Sequence, residues 1–134
     1  MAALLSMDEG ECWALLPTVP VGRVGVSVRA LPVVVPVRFS VVDQDVVFRT
    51  AMGGELHSAV HGNVVAFEAG HYDAEQESGW SVLIRGRASL INDPEELALV
   101  DSLDLPTWSL DGEPDRWARI TSSLVAGSHF STGP

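Results

Sequence analysis

Two stretches in the first third of the chain alternate between apolar and polar residues with a period of two. In the first stretch, Val24, Val26 and Val28 share one face, while arginine and serine occupy the other. In the second stretch, alternate positions over residues 33–41 are apolar. This spacing predicts two half-buried strands. Because Pro36 cannot donate a backbone hydrogen bond, the second strand should lie at an edge or leave one side free for a ligand.

The rest of the chain predicts four more strands and three short helices. The strands are predicted over residues 45–50, 64–69 and 79–91 and around 117–121. The helices are predicted over residues 6–16, over 55–60 and from 93 to about 103. Ser6 and Glu9 have the spacing of a helix capping box, and Asp93 is a second capping residue. Residues 128–134 are expected to be a frayed tail.

Short, regularly spaced strands joined by tight connections favour an antiparallel barrel over a parallel sheet. The expected fold is therefore mainly β, a six-stranded antiparallel barrel that forms a single domain over residues 1–134. Residues 43–45 read as a three-residue hairpin loop. Such a loop pairs Val42 with Val46 and, counting back along both strands, sets Arg38 opposite Thr50.

The charge of the chain restricts its partners. There are 18 acidic and 8 basic residues, a formal net charge of −10, and every basic residue is arginine. Such a surface repels phosphate backbones and anionic lipids, so neither nucleic acid nor membrane is an expected partner. Cys12 is the single cysteine, which excludes an internal disulfide. The sequence has no secretion signal and no membrane-length apolar run, so a cytoplasmic location is expected.

One segment has the residue types of a phosphate site. Arg49 and Thr50 end a strand, and Gly53 and Gly54 lead into a helix, where backbone N–H groups can approach an anion. An exposed arginine followed by a glycine turn is the alternative interpretation. His57 and His61 have helical i, i+4 spacing, but nothing completes a metal site beside them, and no catalytic dyad is visible.

The order of several short segments resembles the pyridoxamine 5′-phosphate oxidase-like flavoproteins, which have the FMN-binding split-barrel fold. These segments are Val21-Gly22-Arg23-Val24, Pro36-Val37, Phe48-Arg49-Thr50, Val65-Ala66-Phe67-Glu68, Ser78-Gly79-Trp80-Ser81-Val82 and Gly86-Arg87-Ala88. The resemblance implies a six-stranded split barrel, a homodimer and FMN at the subunit interface. A flavin would supply hydride transfer to or from a small molecule.

The resemblance also implies roles for individual residues. Arg49 and Thr50 would hold the FMN phosphate, with Arg49 as the main contact, beside the glycine turn at Gly53 and Gly54. Backbone at Pro36 and Val37 would run along the isoalloxazine edge. Trp80 and Ser81 would line the ring pocket, Trp117 would approach from the partner chain, and Arg38 would add a positive charge.

The chain departs from the family pattern at three places. Glu55 stands where a lysine is usual, Arg38 stands where an asparagine is usual, and residues 127–130 replace an arginine-rich ending. Three functions therefore stay open at this point. They are an FMN-dependent oxidoreductase, a split-barrel protein that binds a deazaflavin or a tetrapyrrole, and a cofactor-free dimeric module. The substrate cannot be read from the sequence.

Overall fold

The computed structural model describes residues 2–51, 54–106 and 115–132, apart from the side chain of Glu55. Across these ranges the chain forms seven strands, three α-helices and one 3₁₀ turn. In chain order they are β1 (Ala3–Met7), α1 (Glu9–Leu15), the 3₁₀ turn (Leu16–Thr18), β2 (Val21–Val28), β3 (Leu31–Val42), β4 (Asp45–Ala51), α2 (Glu55–Val60), β5 (Val64–Asp73), β6 (Ser78–Leu90), α3 (Pro94–Asp101) and β7 (Asp115–Ser131).

Six of the strands close into an antiparallel barrel. The sheet order is β1-β7-β4-β3-β2-β5-β6, and β6 also pairs with β7, which closes the ring from β2 to β7. The predicted mainly-β, six-stranded antiparallel barrel is confirmed. The described residues also include a seventh strand, β1, which the sequence did not indicate. It extends the sheet by pairing with residues 127–131 of β7.

Both ends of the chain differ from the prediction. The helix predicted over 6–16 is wrong at its start, because Ser6 belongs to β1 and pairs with Ser128. Asp8 caps α1 instead, and its carboxylate accepts the backbone N–H of Glu11 at 2.8 Å. The prediction of a frayed tail is wrong for residues 128–131, which belong to β7 between β1 and β6. Backbone pairing on both sides holds this segment in place; residues 133 and 134 lie outside the described ranges.

The hairpin between β3 and β4 has a two-residue turn, so the predicted register is wrong by one position. Asp43 and Gln44 both have positive φ angles, of 51° and 61°, which is the geometry that tight hairpins favour. Phe39 therefore pairs with Phe48, and both rings are buried. The predicted register would have set the buried Phe48 opposite Ser40.

The barrel interior is filled by side chains, and a second, smaller core lies outside it. Inside, the rings of Phe39 and Phe67 meet edge to face with centroids 4.8 Å apart. Outside, α3 covers the outer faces of β4 and β7. The second core consists of Val47, Ile91, Val100, Leu105 and Trp117. Arg119 of β7 fixes α3 over this core by pairing with Glu96 of α3 and Asp45 of β4.

In the part of the chain that the structure describes, no helix has the length and apolarity needed to cross a membrane.

Candidate functional site

The barrel wall splits where β3 and β4 stop pairing. Their last pair is Phe39 and Phe48, and the next residues outward are Arg38 and Arg49. Beyond this point β3 stays with β2, where Arg38 faces Val21, while β4 stays with β7. Since Phe39 and Phe48 point inward, the alternation of side chains turns both arginines to the outer face. The two arginines thus stand side by side at the split.

Arg49 is already held by groups of its own chain. Its Nη1 donates to the carbonyl oxygen of Leu105 at 3.0 Å, and its Nη2 lies 2.9 and 2.8 Å from the two carboxylate oxygens of Asp115. The guanidinium carbon is 5.4 Å from the centroid of the Trp117 ring, a cation–π distance. The Nε atom is buried without a hydrogen-bond partner.

Arg38 has no such counterion among the described residues. It is half-buried, and its Nε is likewise buried without a partner. None of the described carboxylates lies within ion-pair distance of Arg38. The split therefore carries two guanidinium groups against the one described carboxylate of Asp115. This local excess of positive charge in an acidic chain suits an anion such as a phosphate.

The outer face continues from the split across β2 and β5 to β6. Between β2 and β5, the Nη1 of Arg23 pairs with Glu68 at 3.3 Å, and the hydroxyl of Ser81 on β6 donates to the same carboxylate at 3.0 Å. Pro36 lies directly opposite Arg23. Four neighbouring strands at the usual spacing make this face about 14 Å wide from β3 to β6. We call it the outer strip.

On its two middle strands, β2 and β5, the outer strip carries a row with the uncharged residues Val21 and Gly70 beside the row that contains the Arg23–Glu68 ion pair. Val21 lies opposite Arg38, and Gly70 lies opposite Ser81. A Cβ at Gly70 would lie 2.4 Å from the carbonyl oxygen of Trp80, so only glycine fits there. The strip thus runs from a cationic end at Arg38 through Val21 and Gly70 to the hydroxyl of Ser81, with the Arg23–Glu68 ion pair beside this row. This sequence of surfaces matches a ligand with an anionic group, a planar body and a polar edge.

Trp80 faces the opposite side of β6 from Ser81, so within one chain the two do not line the same pocket. Trp80 is buried and lies directly opposite His71 on one side and His129 on the other. All three line a cavity of about 360 Å³ at the open end of the barrel. The Nε2 of His129 lies 3.1 Å from a carboxylate oxygen of Glu11.

The remaining predicted site residues have varied surroundings. Trp117 is 5% exposed, and its indole N–H donates to Asp101 at 2.7 Å, so the ring packs under α3 of its own chain. Val37 and Thr50 are buried. Gly54 is the N-cap of α2 and is exposed. Gly53 lies outside the described residues.

Sequence reasoning missed several residues that shape the site. The ion pair of Asp115 with Arg49, the hydrogen bond of Asp101 with Trp117 and the ion pair of Arg23 with Glu68 were not predicted. Arg23 and Glu68 are 45 residues apart, and Arg49 and Asp115 are 66 residues apart, so no local motif joins them. The one available signal was that Arg23 and Glu68 both occur on the polar sides of predicted strands. In the described ranges, no three His, Cys, Asp or Glu side chains are grouped so that they would hold a metal ion.

Comparison with known proteins gives consistent matches. A family model described as pyridoxamine 5′-phosphate oxidase matches residues 8–128. An uncharacterized protein of Mycobacterium tuberculosis is 38% identical over 129 residues, which cover 92% of this chain and 84% of that protein.

Two solved structures also match along nearly their whole length. The FAD binding protein from Mycobacterium smegmatis superposes with a TM-score of 0.86 at 35% identity, covering 96% of this chain and 99% of the other. A conserved protein of unknown function from Corynebacterium diphtheriae superposes with a TM-score of 0.78 at 28% identity, covering 95% and 98%.

Proposed function

Because the chain belongs to the pyridoxamine 5′-phosphate oxidase family, we propose that it binds a flavin nucleotide on the outer strip and acts as a flavin-dependent oxidoreductase. The observation that carries the proposal is the pair of arginines at the split, one of them without a described counterion, in a chain of net charge −10. The similar protein from Mycobacterium smegmatis is described as FAD binding.

The residues of the outer strip fit the parts of a flavin mononucleotide. Arg38, with Arg49 beside it, would bind the phosphate through charge-assisted hydrogen bonds. Val21 and Gly70 have no long side chains, so the row between Arg38 and Ser81 leaves room for a planar ring. Glu68, held by Arg23, offers a carboxylate to donors on the ring edge. A bound flavin would supply hydride transfer to or from a small molecule, while the protein positions the ring and limits its contact with water.

FMN is the smallest ligand that contains every part used in this argument. FAD contains the same riboflavin phosphate with an added adenylate, so the strip alone does not separate the two. Riboflavin lacks the phosphate and serves as the natural control. Comparing all three ligands shows which part of the flavin the chain recognises.

A second copy of the chain would complete this site. The outer strip is an outward-facing sheet surface, so a flavin lying on it would keep one side of its ring in water. Apolar side chains flank the strip, and Val34 and Val64 are 66% and 65% exposed. A homodimer that buries this face would cover both the valines and the ring.

The experiment is a titration of purified protein with FMN, FAD and riboflavin, followed by flavin fluorescence. The wild-type chain should bind FMN more tightly than riboflavin. Arg38→Met should weaken FMN binding by about tenfold or more, because a lost hydrogen bond to a charged group costs about 1.5–3 kcal/mol. Riboflavin binding should change little.

The matched control is Arg29→Met, which removes the same charge at the exposed turn between β2 and β3 and should leave all three affinities unchanged. Equal losses for FMN and riboflavin in the Arg38 variant would contradict a phosphate role for Arg38. A wild-type chain that binds none of the three ligands would contradict the proposed function.

One observation favours a second candidate, the cofactor-free dimeric module. Asp115 pairs with Arg49 and offsets its charge, as expected of a site that does not bind phosphate. A colourless, dimeric protein that binds no flavin would support this candidate. A deazaflavin or tetrapyrrole binder would instead show the absorption bands of its own ligand on purification.

A further inference from the structure

We infer that Asp115 limits the affinity of this site for flavin phosphate by holding the Arg49 guanidinium, so that Arg38 is the arginine available to the phosphate. The inference rests on the proposed function and deepens it. Asp115 would set how strongly the phosphate contributes to flavin affinity. Its position beside Arg49 makes the two neighbouring arginines unequal.

The strand register explains why Arg49 is held. Trp117 lies directly opposite Arg49, and Asp115 lies opposite Ala51, two positions further along β4. Directly opposed and diagonal neighbours on one face of a sheet are within reach of a long side chain. Arg49 therefore lies between an aromatic ring and a carboxylate of the same strand. This arrangement is built into the pairing of β4 with β7.

The contacts leave Arg49 little capacity for another anion. Nη1 and Nη2 both have acceptors, and Nε is buried without one. The side chains of Arg49 and Asp115 are only 28% and 16% exposed, so water screens their attraction less than at an open surface. A phosphate that approaches this guanidinium would also approach the negative charge of Asp115. The net charge of the Arg49–Asp115 pair is close to zero, so the pair attracts the phosphate only weakly.

Arg38 differs from Arg49 in its charged neighbours. It stands at the same level of the split and on the same outer face, but no described carboxylate pairs with it. Among the described residues, its charge is therefore not offset locally. The two arginines look equivalent in the sequence. They differ in the structure because Asp115 lies beside Arg49 and not beside Arg38.

The test removes the competing charge and leaves the arginine in place. Asp115→Asn should strengthen FMN binding by about tenfold, the size of one charge-assisted hydrogen bond gained, with riboflavin affinity within twofold of wild type. Asp43→Asn is the matched control, because it removes the same charge at the exposed turn between β3 and β4, where the positive φ of Asp43 also suits asparagine. It should leave both affinities within twofold.

A second pair of variants keeps the inference testable if Asp115→Asn does not fold. Arg49→Met should weaken FMN binding by less than about threefold, while Arg38→Met should weaken it by about tenfold or more. In the double variant Arg49→Met with Asp115→Asn, the gain from the asparagine should disappear, because there is no guanidinium left to release.

Three outcomes would overturn the inference. They are an Asp115→Asn variant that binds FMN no better than wild type, a gain shared equally by riboflavin, and an Arg49→Met loss as large as that of Arg38→Met. In each case the wild-type chain still binds flavin, so the proposed function stands. A wild-type chain that binds neither FMN nor riboflavin overturns the proposed function itself and the premise of the inference with it.

Discussion

At the scale of single residues, Cys12 shows how burial controls reactivity. The thiol is 1% exposed in α1, and a Cβ added at Gly127 would lie 2.5 Å from its sulfur. Burial raises the pKa of Cys12 above its ordinary 9.0, and the nearby carboxylates of Asp8 and Glu11 raise it further. Since the thiolate is the reactive form, we expect the native protein to react slowly with Ellman's reagent at pH 8 and quickly in urea.

The same pKa shift links Cys12 to stability. Because the folded state favours the neutral thiol, the contribution of Cys12 to stability is fully present below its ordinary pKa of 9.0 and is lost as the pH rises through the higher folded value. Cys12→Ala should therefore flatten the decline of the free energy of unfolding as the pH rises above about 9. Rapid labelling of the native thiol would show that α1 opens and would contradict the expected slow reaction with Ellman's reagent.

Which side chains of the site contact each other could not be predicted from the sequence. Arg49 and Arg38 were identified from residue type and position, and the structure places both at the split. Which arginine has a counterion depends on Asp115, and no sequence pattern brings Asp115 to β4. Only the register between β4 and β7 does so. The one-position error in the β3–β4 hairpin had the same origin, since the choice between a two- and a three-residue turn depends on burying Phe39 opposite Phe48.

At the scale of strands, the β6–β7 pair depends on a glycine. The register shifts between Arg85 and Gly86, and a Cβ at Gly86 would lie 2.0 Å from the carbonyl oxygen of Thr121. Gly86→Ala should therefore lower the free energy of unfolding by about 1–3 kcal/mol, the usual cost of overpacking. Gly25→Ala is the control, because its nearest neighbour would be Ala66 Cβ at 3.7 Å.

Urea denaturation of both variants measures this difference. Gly25→Ala should leave stability unchanged or slightly raised, since alanine costs less conformational entropy in a strand than glycine. Equal midpoints for the two variants would mean that the backbone around Thr121 moves to accept the methyl group. The bulge would then be a property of the strand pairing and not of the glycine.

Elements with a clean period were predictable, and elements held by neighbours were not. Alternation identified β2 and β3, and the Asp93 cap identified α3. By contrast, β1 and the last part of β7 are short of buried side chains, and residues 3–6 are all exposed. Their order comes from backbone hydrogen bonds to each other and to β6. Such pairing leaves no hydrophobic period in the sequence. Residues 6–16 were therefore predicted as a helix and residues 128–134 as a frayed tail.

At the scale of the whole molecule, exposed apolar residues and the outer strip share one face. Val34 lies opposite Gly25, which lies opposite Ala66, and Val64 is two positions from Ala66 on the same face. The patch therefore adjoins the strip directly, with Pro36 between Val34 and Arg38. A single chain cannot bury this patch, because the barrel interior is already filled from the other side of the same strands.

We therefore expect two copies to associate through this face, and light scattering at micromolar concentration should give twice the chain mass of 14.3 kDa. Val34→Glu places a charge in the middle of the patch and should yield a monomer with weakened flavin binding. Leu99→Glu introduces the same charge at a 48% exposed site on α3 and should leave both the dimer and the flavin affinity unchanged. A Val34→Glu variant that stays dimeric would place the interface elsewhere, whereas a monomeric Val34→Glu variant with full flavin affinity would show that one chain holds the cofactor alone.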